Sequence, residues 1–190
     1  LNLYDNNNGY NNAAAILADT NHFPGIDIVK FGENISIIQK RSTFENISVL
    51  EEYDKSVNVF RDYYQYEVIQ GADREKVEKI PEAAFREAIA NALIHRAWDI
   101  ASQIRVLMFD DRIEVISPGG LPSRITEEEY LSGKLSVLRN RNLANVFYRL
   151  GFVEIFGTGI TRIKHLYEEG LIKPDFEVSE NTIKIVLPVF

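Results

Sequence analysis

The chain has 190 residues, 45% of them hydrophobic and 26% charged, with a formal net charge of −7. That length can bury a real core in one domain with room for an appendage, and the acidic balance removes any global attraction for nucleic acid, so DNA contact requires a local basic patch or another domain. The absence of cysteine excludes disulfides, thiolate chemistry and cysteine-ligated zinc and fits a reducing, cytoplasmic setting, while the apolar runs fall short of the roughly 20 residues that span a bilayer.

Along the chain, "LNLYDNNNGYNN" (1–12) is rich in Asn and reads as a loop or linker. "AAAILAD" is a strand or one helical turn. "GIDIVKF" and "NISIIQKR" alternate apolar and polar residues around Gly32-Glu33-Asn34, which predicts a hairpin. Val49, Leu50, Tyr53, Val57 and Phe60 recur near helical period, so 48–66 is a long amphipathic helix. "YQYEVIQ" reads as a strand and "ADREKVEKI" as a charged connector. Pro81 then opens a helix running to about Ala97, where its missing N–H costs nothing. "SQIRVLMFDDRIEVIS" carries two β-branched, alternating runs around Asp110-Asp111, a tight hairpin whose aspartates serve the turn. "SPGGLP" (117–122) is irregular. "TEEEYLSG" has a Thr cap, acids in the first turn and a Gly stop, and predicts a short helix. "NRNLANVFYRLG" and "GTGITRIKHLYEEG" (157–170) predict two more helices, and "DFEVSENTIKIVLP" two strands turning near Glu180-Asn181. The sum is α+β: a mixed or antiparallel sheet with helices layered on one face. The chain starts with Leu1 in mid-pattern, which reads as a fragment of a longer protein.

The helix after Pro81 carries Glu87, Asn91 and His95 at intervals of four, one above another on a single face. Phe85, Ala88, Ile89 and Ala92 form its core face, and the polar stripe is edged by Ala84, Ala90 and Ile94. A narrow stripe between alanines is either a solvated face or an edge that another group approaches closely. "GTG" at Gly157, Thr158 and Gly159 immediately precedes a helix; backbone amides at such a terminus can cradle a phosphate, or the glycines simply serve a tight turn. Gly119 and Gly120 offer the same choice between ligand approach and strand-ending turn. Arg139 and Arg141 in "LRNRN" bind phosphate or cap the following helix. His22, His95 and His165 have no metal-ligand spacing, and neither Ser102 nor Ser117 sits in a nucleophile motif.

The order of these features is a helix with Glu then Asn, a hairpin ending in a Gly-rich loop, a helical insertion, GxG before a helix, and two closing strands. That order resembles the GHKL ATPase superfamily of gyrase, chaperone, histidine-kinase and mismatch-repair ATPases. "REAIANALIHRAW", "FDDRIEVISPGGLP" and "RNRNLANVFYRLGFVEIFGTGITRI" resemble more closely the RecG-related C-terminal ATPase-like domain of bacterial transcriptional regulators, over about residues 80–190. Residues 1–66 resemble the tail of the Schlafen/Alba-type DNA-binding domain that precedes it in such proteins.

The resemblance implies a Bergerat-like ATPase fold over 67–190 with an N-terminal α/β appendage over 1–66. Glu87 would activate water and Asn91 would hold Mg²⁺ against the phosphates of ATP. His95 would reach the ligand, Gly157, Thr158 and Gly159 would meet the phosphates, and Gly119 and Gly120 would lie beside base or ribose. Ser117 stands where the superfamily carries an aspartate for the adenine amino group; losing one good hydrogen bond costs about 1–3 kcal/mol, roughly 5- to 150-fold in affinity. The function implied is a nucleotide-binding regulatory domain of a bacterial transcriptional regulator, cytoplasmic, dimeric, not membrane-bound, and touching DNA only through a domain outside this chain. The alternatives are an active Mg-dependent ATPase of a helicase-related protein, although no motor motif is present, and a degenerate fold kept for protein–protein contact.

Overall fold

The computed structural model describes residues 1–71, 73–123, 125–133, 137–153 and 158–190. Its elements are β1 (Tyr4–Asp5), β2 (Gly9–Tyr10), α1 (Asn12–Leu17), β3 (Ile26–Phe31), β4 (Ile38–Phe44), α2 (Val49–Tyr64), β5 (Gln65–Gln70), β6 (Asp73–Glu78), α3 (Glu82–His95), β7 (Ile104–Met108), β8 (Arg112–Pro118), α4 (Glu127–Ser132), α5 (Arg141–Arg149), α6 (Gly159–Leu166), β9 (Asp175–Val178) and β10 (Thr182–Pro188).

Six strands form one sheet in the order β4-β3-β7-β8-β10-β9. All neighbours are antiparallel except β3 and β7, which run parallel with Ile26 opposite Ile104 and Ile28 opposite Val106. The sheet is therefore mixed, one of the two forms the sequence allows, and the hairpin from the first 66 residues extends it instead of forming a sheet of its own. Alternation decides which face is buried. Ile104, Val106 and Met108 of β7, Ile113 and Val115 of β8, and Ile183, Ile185 and Leu187 of β10 point into one core, while Arg105, Glu114 and Lys184 lie on the other face.

Helix α3 is the centre of the helical layer. It packs against α2, α5 and α6 and against β8 and β10, and Ala84, Phe85, Ala88, Ile89, Ala90, Ala92, Leu93 and Ile94 are all buried. A helix that is apolar nearly all round belongs in a core. Its alanines let neighbouring elements come close, and Phe85 stacks on Phe60 of α2 at 4.5 Å between ring centroids. Burying an aromatic ring of this kind stabilises by about 1.5–3 kcal/mol.

Several expectations are corrected. The "connector" ADREKVEKI contains β6, which pairs antiparallel with β5 from Gln65–Glu78 to Gln70–Asp73; its ladder is made by backbone pairing of exposed, charged residues, so it carries no hydrophobic signature. The Asn-rich opening holds the short β1–β2 pair, and "AAAILAD" is helical, capped by the Asn11 side chain accepting from the Ala14 amide. Helix α6 ends at Leu166, well before Gly170; there the Lys173 ammonium donates to the Tyr167 and Glu168 carbonyls.

The N-terminal segment is joined to α3 by a buried polar knot. Arg96, fully buried just past the end of α3, donates to the carbonyls of Pro24, Ile100 and Ser102 and stacks on Trp98 at 4.4 Å. Glu52 of α2 is buried beside it. Among the described residues the buried side-chain atoms without a hydrogen-bond partner are Glu52 Oε2, Arg96 Nε and Trp98 Nε1, all in this knot. Burial pushes the Glu52 carboxyl up to about 8, the Arg96 charge offsetting only part of it. From the ordinary value of 4.5 up to 8, the folded chain therefore holds a proton that the unfolded chain has released, and stability falls as pH rises. His95 acts in the opposite sense: burial, reinforced by the Arg139 charge, pushes its imidazole down from 6.5 to about 4, so its contribution is lost as pH falls through that window. Above pH 6.5 only Glu52 of the two still titrates. The urea midpoint should thus decline from pH 6.5 to 8 and the Glu52→Gln variant should lack that decline; an equal decline in both would refute the assignment.

Candidate functional site

The Glu87–Asn91–His95 column is not a solvated face. The Glu87 side chain is 7% exposed. Asn91 Nδ2 donates to Glu87 Oε1 at 2.8 Å and to the Glu87 backbone carbonyl at 2.8 Å. This orientation spends the amide's donor on Glu87 and turns its oxygen the other way. Gly159, the first residue of α6, lies directly over the pair. A Cβ there would come 2.5 Å from Glu87 Oε1 and 2.7 Å from Asn91 Nδ2, so only glycine permits this approach. Arg162, one turn into α6, lies 3.8 Å from Glu87 Oε2.

Glu87, Asn91, His95 and Gly159 line one cleft, which encloses about 920 Å³ of empty space including its open mouth. Its walls are otherwise mainly apolar: Ile94 of α3, Ile125 and Tyr130 around α4, Ile160 and Ile163 of α6, Ile183 and Ile185 of β10. A smaller cavity beside it is bounded by Asn91, His95, Ser117 and Tyr130. The Ser117 hydroxyl, at the end of β8, donates to the Ala92 carbonyl at 3.0 Å; its one hydrogen is committed and its oxygen can only accept.

Of the residues singled out in the sequence, Gly120 also lines the cleft. Gly119 does not: it has φ +97 and packs against Arg139 and Ala97, where a Cβ would lie 2.4 Å from Arg139 Nη1. Thr158 is the N-cap of α6 and offers no side-chain cap; its carbonyl accepts from the Arg162 amide at 2.7 Å. Gly157 lies outside the described residues. Arg141 begins α5, and His165 is exposed and paired with Glu168 at 3.0 Å. Sequence reasoning missed Arg162 and the apolar wall. The former had a usable signal, its place one turn after Gly159 on the same helix; the latter reads in sequence as ordinary core.

A carboxylate tied to an amide, beneath a glycine at a helix start, suits oriented water and a hard cation. No group of three or more His, Asp or Glu side chains able to hold a metal exists among the described residues. Magnesium does not require one: it retains waters and takes one or two protein oxygens plus phosphate oxygens, a demand that Asn91 Oδ1 and Glu87 fit.

The fold is α+β, with a mixed six-stranded sheet and helices, and is consistent with an ATPase-like domain. Residues 101–187 match the family described as "Putative ATP-dependent DNA helicase recG C-terminal". That segment includes Ser117, Gly119, Gly120 and the 157–159 loop and begins after Glu87, Asn91 and His95. The chain is similar to the crystal structure of the DIP2311 protein from Corynebacterium diphtheriae, with 28% identity and a TM-score of 0.81 over 98% of this chain. The match covers 39% of the DIP2311 chain, so this chain spans about two fifths of that protein's length. No curated protein matches the sequence. No helix among the described residues is long and apolar enough to cross a membrane.

Proposed function

We propose that the cleft binds an adenine nucleotide with Mg²⁺ and that this domain senses nucleotide within a bacterial, cytoplasmic transcriptional regulator whose DNA contacts lie in a neighbouring domain. The observation that carries the reading is buried Glu87 held by half-buried Asn91, hydrogen-bonded at 2.8 Å and overlain by Gly159. Asn91 Oδ1 and water would complete the magnesium shell, and the ion would supply charge neutralisation for the phosphates. Ser117 oxygen would accept from the base amino group, since its hydrogen is held by Ala92. The β3–β4 hairpin, continuous with the sheet, and α2, packed on α3, give cleft occupancy a route to the N-terminal segment. Occupancy would then bias a homodimer or the neighbouring domain.

The test is calorimetric titration with ATP and Mg²⁺. Micromolar-range affinity is expected for the unaltered chain, and Asn91→Ala should weaken it roughly 5- to 150-fold, the equivalent of one good polar contact. Gly159→Ala should weaken it as well, because the new methyl group displaces Glu87 and Asn91. Absence of heat at millimolar nucleotide would end the proposal.

A further inference from the structure

Segment 137–140 crosses the cleft between its two walls. Val137 and Leu138 line the cleft. The next residue, Arg139, donates from Nη2 to the Gly120 carbonyl at 2.7 Å, and its other terminal nitrogen lies against Gly119. No carboxylate among the described residues forms an ion pair with it. Asn140 then donates from Nδ2 to the Ile94 carbonyl at 2.6 Å and to the Arg96 carbonyl at 3.2 Å.

The use made of Asn140 is unusual. It is the N-cap residue of α5, where an Asn side chain ordinarily accepts from its own helix's first amides. Here it makes no such bond. Its donor instead serves carbonyls at the end of α3, which have no intrahelical partner. Arg139 brings a cation to the same helix terminus, where the helix dipole favours one. Gly119 has the backbone and the open side that this guanidinium needs. Two neighbouring side chains thus serve two elements, one the turn after β8 and one the last turn of α3, beside His95.

We propose that Arg139 and Asn140 are positioning residues that clasp segment 137–140 onto the turn after β8 and the end of α3 and so set the cleft's shape for its ligand. The clasp rests on the nucleotide reading only for the identity of that ligand. It touches the end of the cleft nearest His95, Ser117 and Gly120, and Glu87 sits about 12 Å away along α3 at the usual helical rise. Loosening it should therefore weaken a nucleoside and a nucleoside triphosphate alike.

The experiment has two arms, each run on the unaltered chain, Arg139→Ala, Arg139→Lys and Asn140→Ala. Hydrogen exchange without ligand is expected to speed roughly tenfold in residues 121–133 and the last turn of α3 in both alanine variants. Arg139→Lys, which keeps a donor for the Gly120 carbonyl, should restore most of the protection. Unchanged exchange would overturn the clasp whatever the cleft binds. In the second arm adenosine and ATP–Mg²⁺ are titrated, and the alanine variants should lose roughly tenfold for both. Loss for ATP alone would make Arg139 a phosphate contact and overturn the positioning role, as would faster exchange with unchanged affinity for either ligand. An unaltered chain that binds neither ligand would overturn the nucleotide reading and the ligand-setting role, while exchange would still decide whether the clasp exists.

Discussion

Arg96→Met is expected to destabilise the fold by about 3–5 kcal/mol, measured as a shift in urea midpoint at constant slope. The guanidinium is fully buried and donates to three backbone carbonyls, those of Pro24, Ile100 and Ser102. Methionine fills much of the same volume and supplies no donor, so the part-buried Pro24 and Ser102 carbonyls lose their side-chain partner at about 1–3 kcal/mol apiece, while the Ile100 carbonyl keeps the Ser102 amide. Relief of the guanidinium's own desolvation offsets part of that sum. Charge attraction to nearby Glu52 contributes little, because burial holds Glu52 largely protonated at neutral pH. Two comparisons follow. Glu52→Gln should cost far less than Arg96→Met at pH 7, and Arg96→Lys should fall between, keeping charge while losing the planar fork. A methionine variant within about 1 kcal/mol of the unaltered chain would show that the knot does not hold the N-terminal segment to α3.

The knot also marks where sequence reasoning stops. Patterns that are local in the chain were legible: the β7–β8 hairpin around Asp110-Asp111, the apolar stripe of α2, and the Thr126–Glu129 capping box of α4. The parallel pairing of Ile26–Lys30 with Ile104–Met108 was not. It joins strands separated by a strand, a helix, a hairpin and a second helix, and neither strand differs locally from one that pairs only with its antiparallel neighbour. Strand β6 was missed because its stability comes from the backbone ladder with β5 and not from burial. In the cleft, the spacing of Glu87, Asn91 and His95 was visible, and the alanines beside them left open whether another group approaches closely. The group is Gly159, brought in by a contact of α6 with α3 that no spacing encodes. Gly119 left a choice between ligand approach and a strand-ending turn, and Arg139 lies against its open side; an arginine twenty residues on carries no sign of that destination.

Glu87→Gln is the variant that separates a nucleotide sensor from an enzyme. If the domain hydrolyses ATP, Glu87 is the general base, and removing its charge should lower turnover by about 10²- to 10⁴-fold. Glutamine is the informative replacement. Its side-chain oxygen can still accept from Asn91 Nδ2, now 2.8 Å from Glu87 Oε1, and its size keeps the contact beneath Gly159. Nucleotide affinity and thermal midpoint should therefore change little while turnover collapses. Arg162 gives an internal control: its guanidinium lies 3.8 Å from Glu87, so Arg162→Gln tests whether that charge supports the carboxylate without touching Asn91. Turnover that survives Glu87→Gln would remove Glu87 from the base role. Binding without measurable turnover in the unaltered chain would assign the Glu87–Asn91 pair to holding nucleotide and magnesium, and the domain would act by occupancy alone.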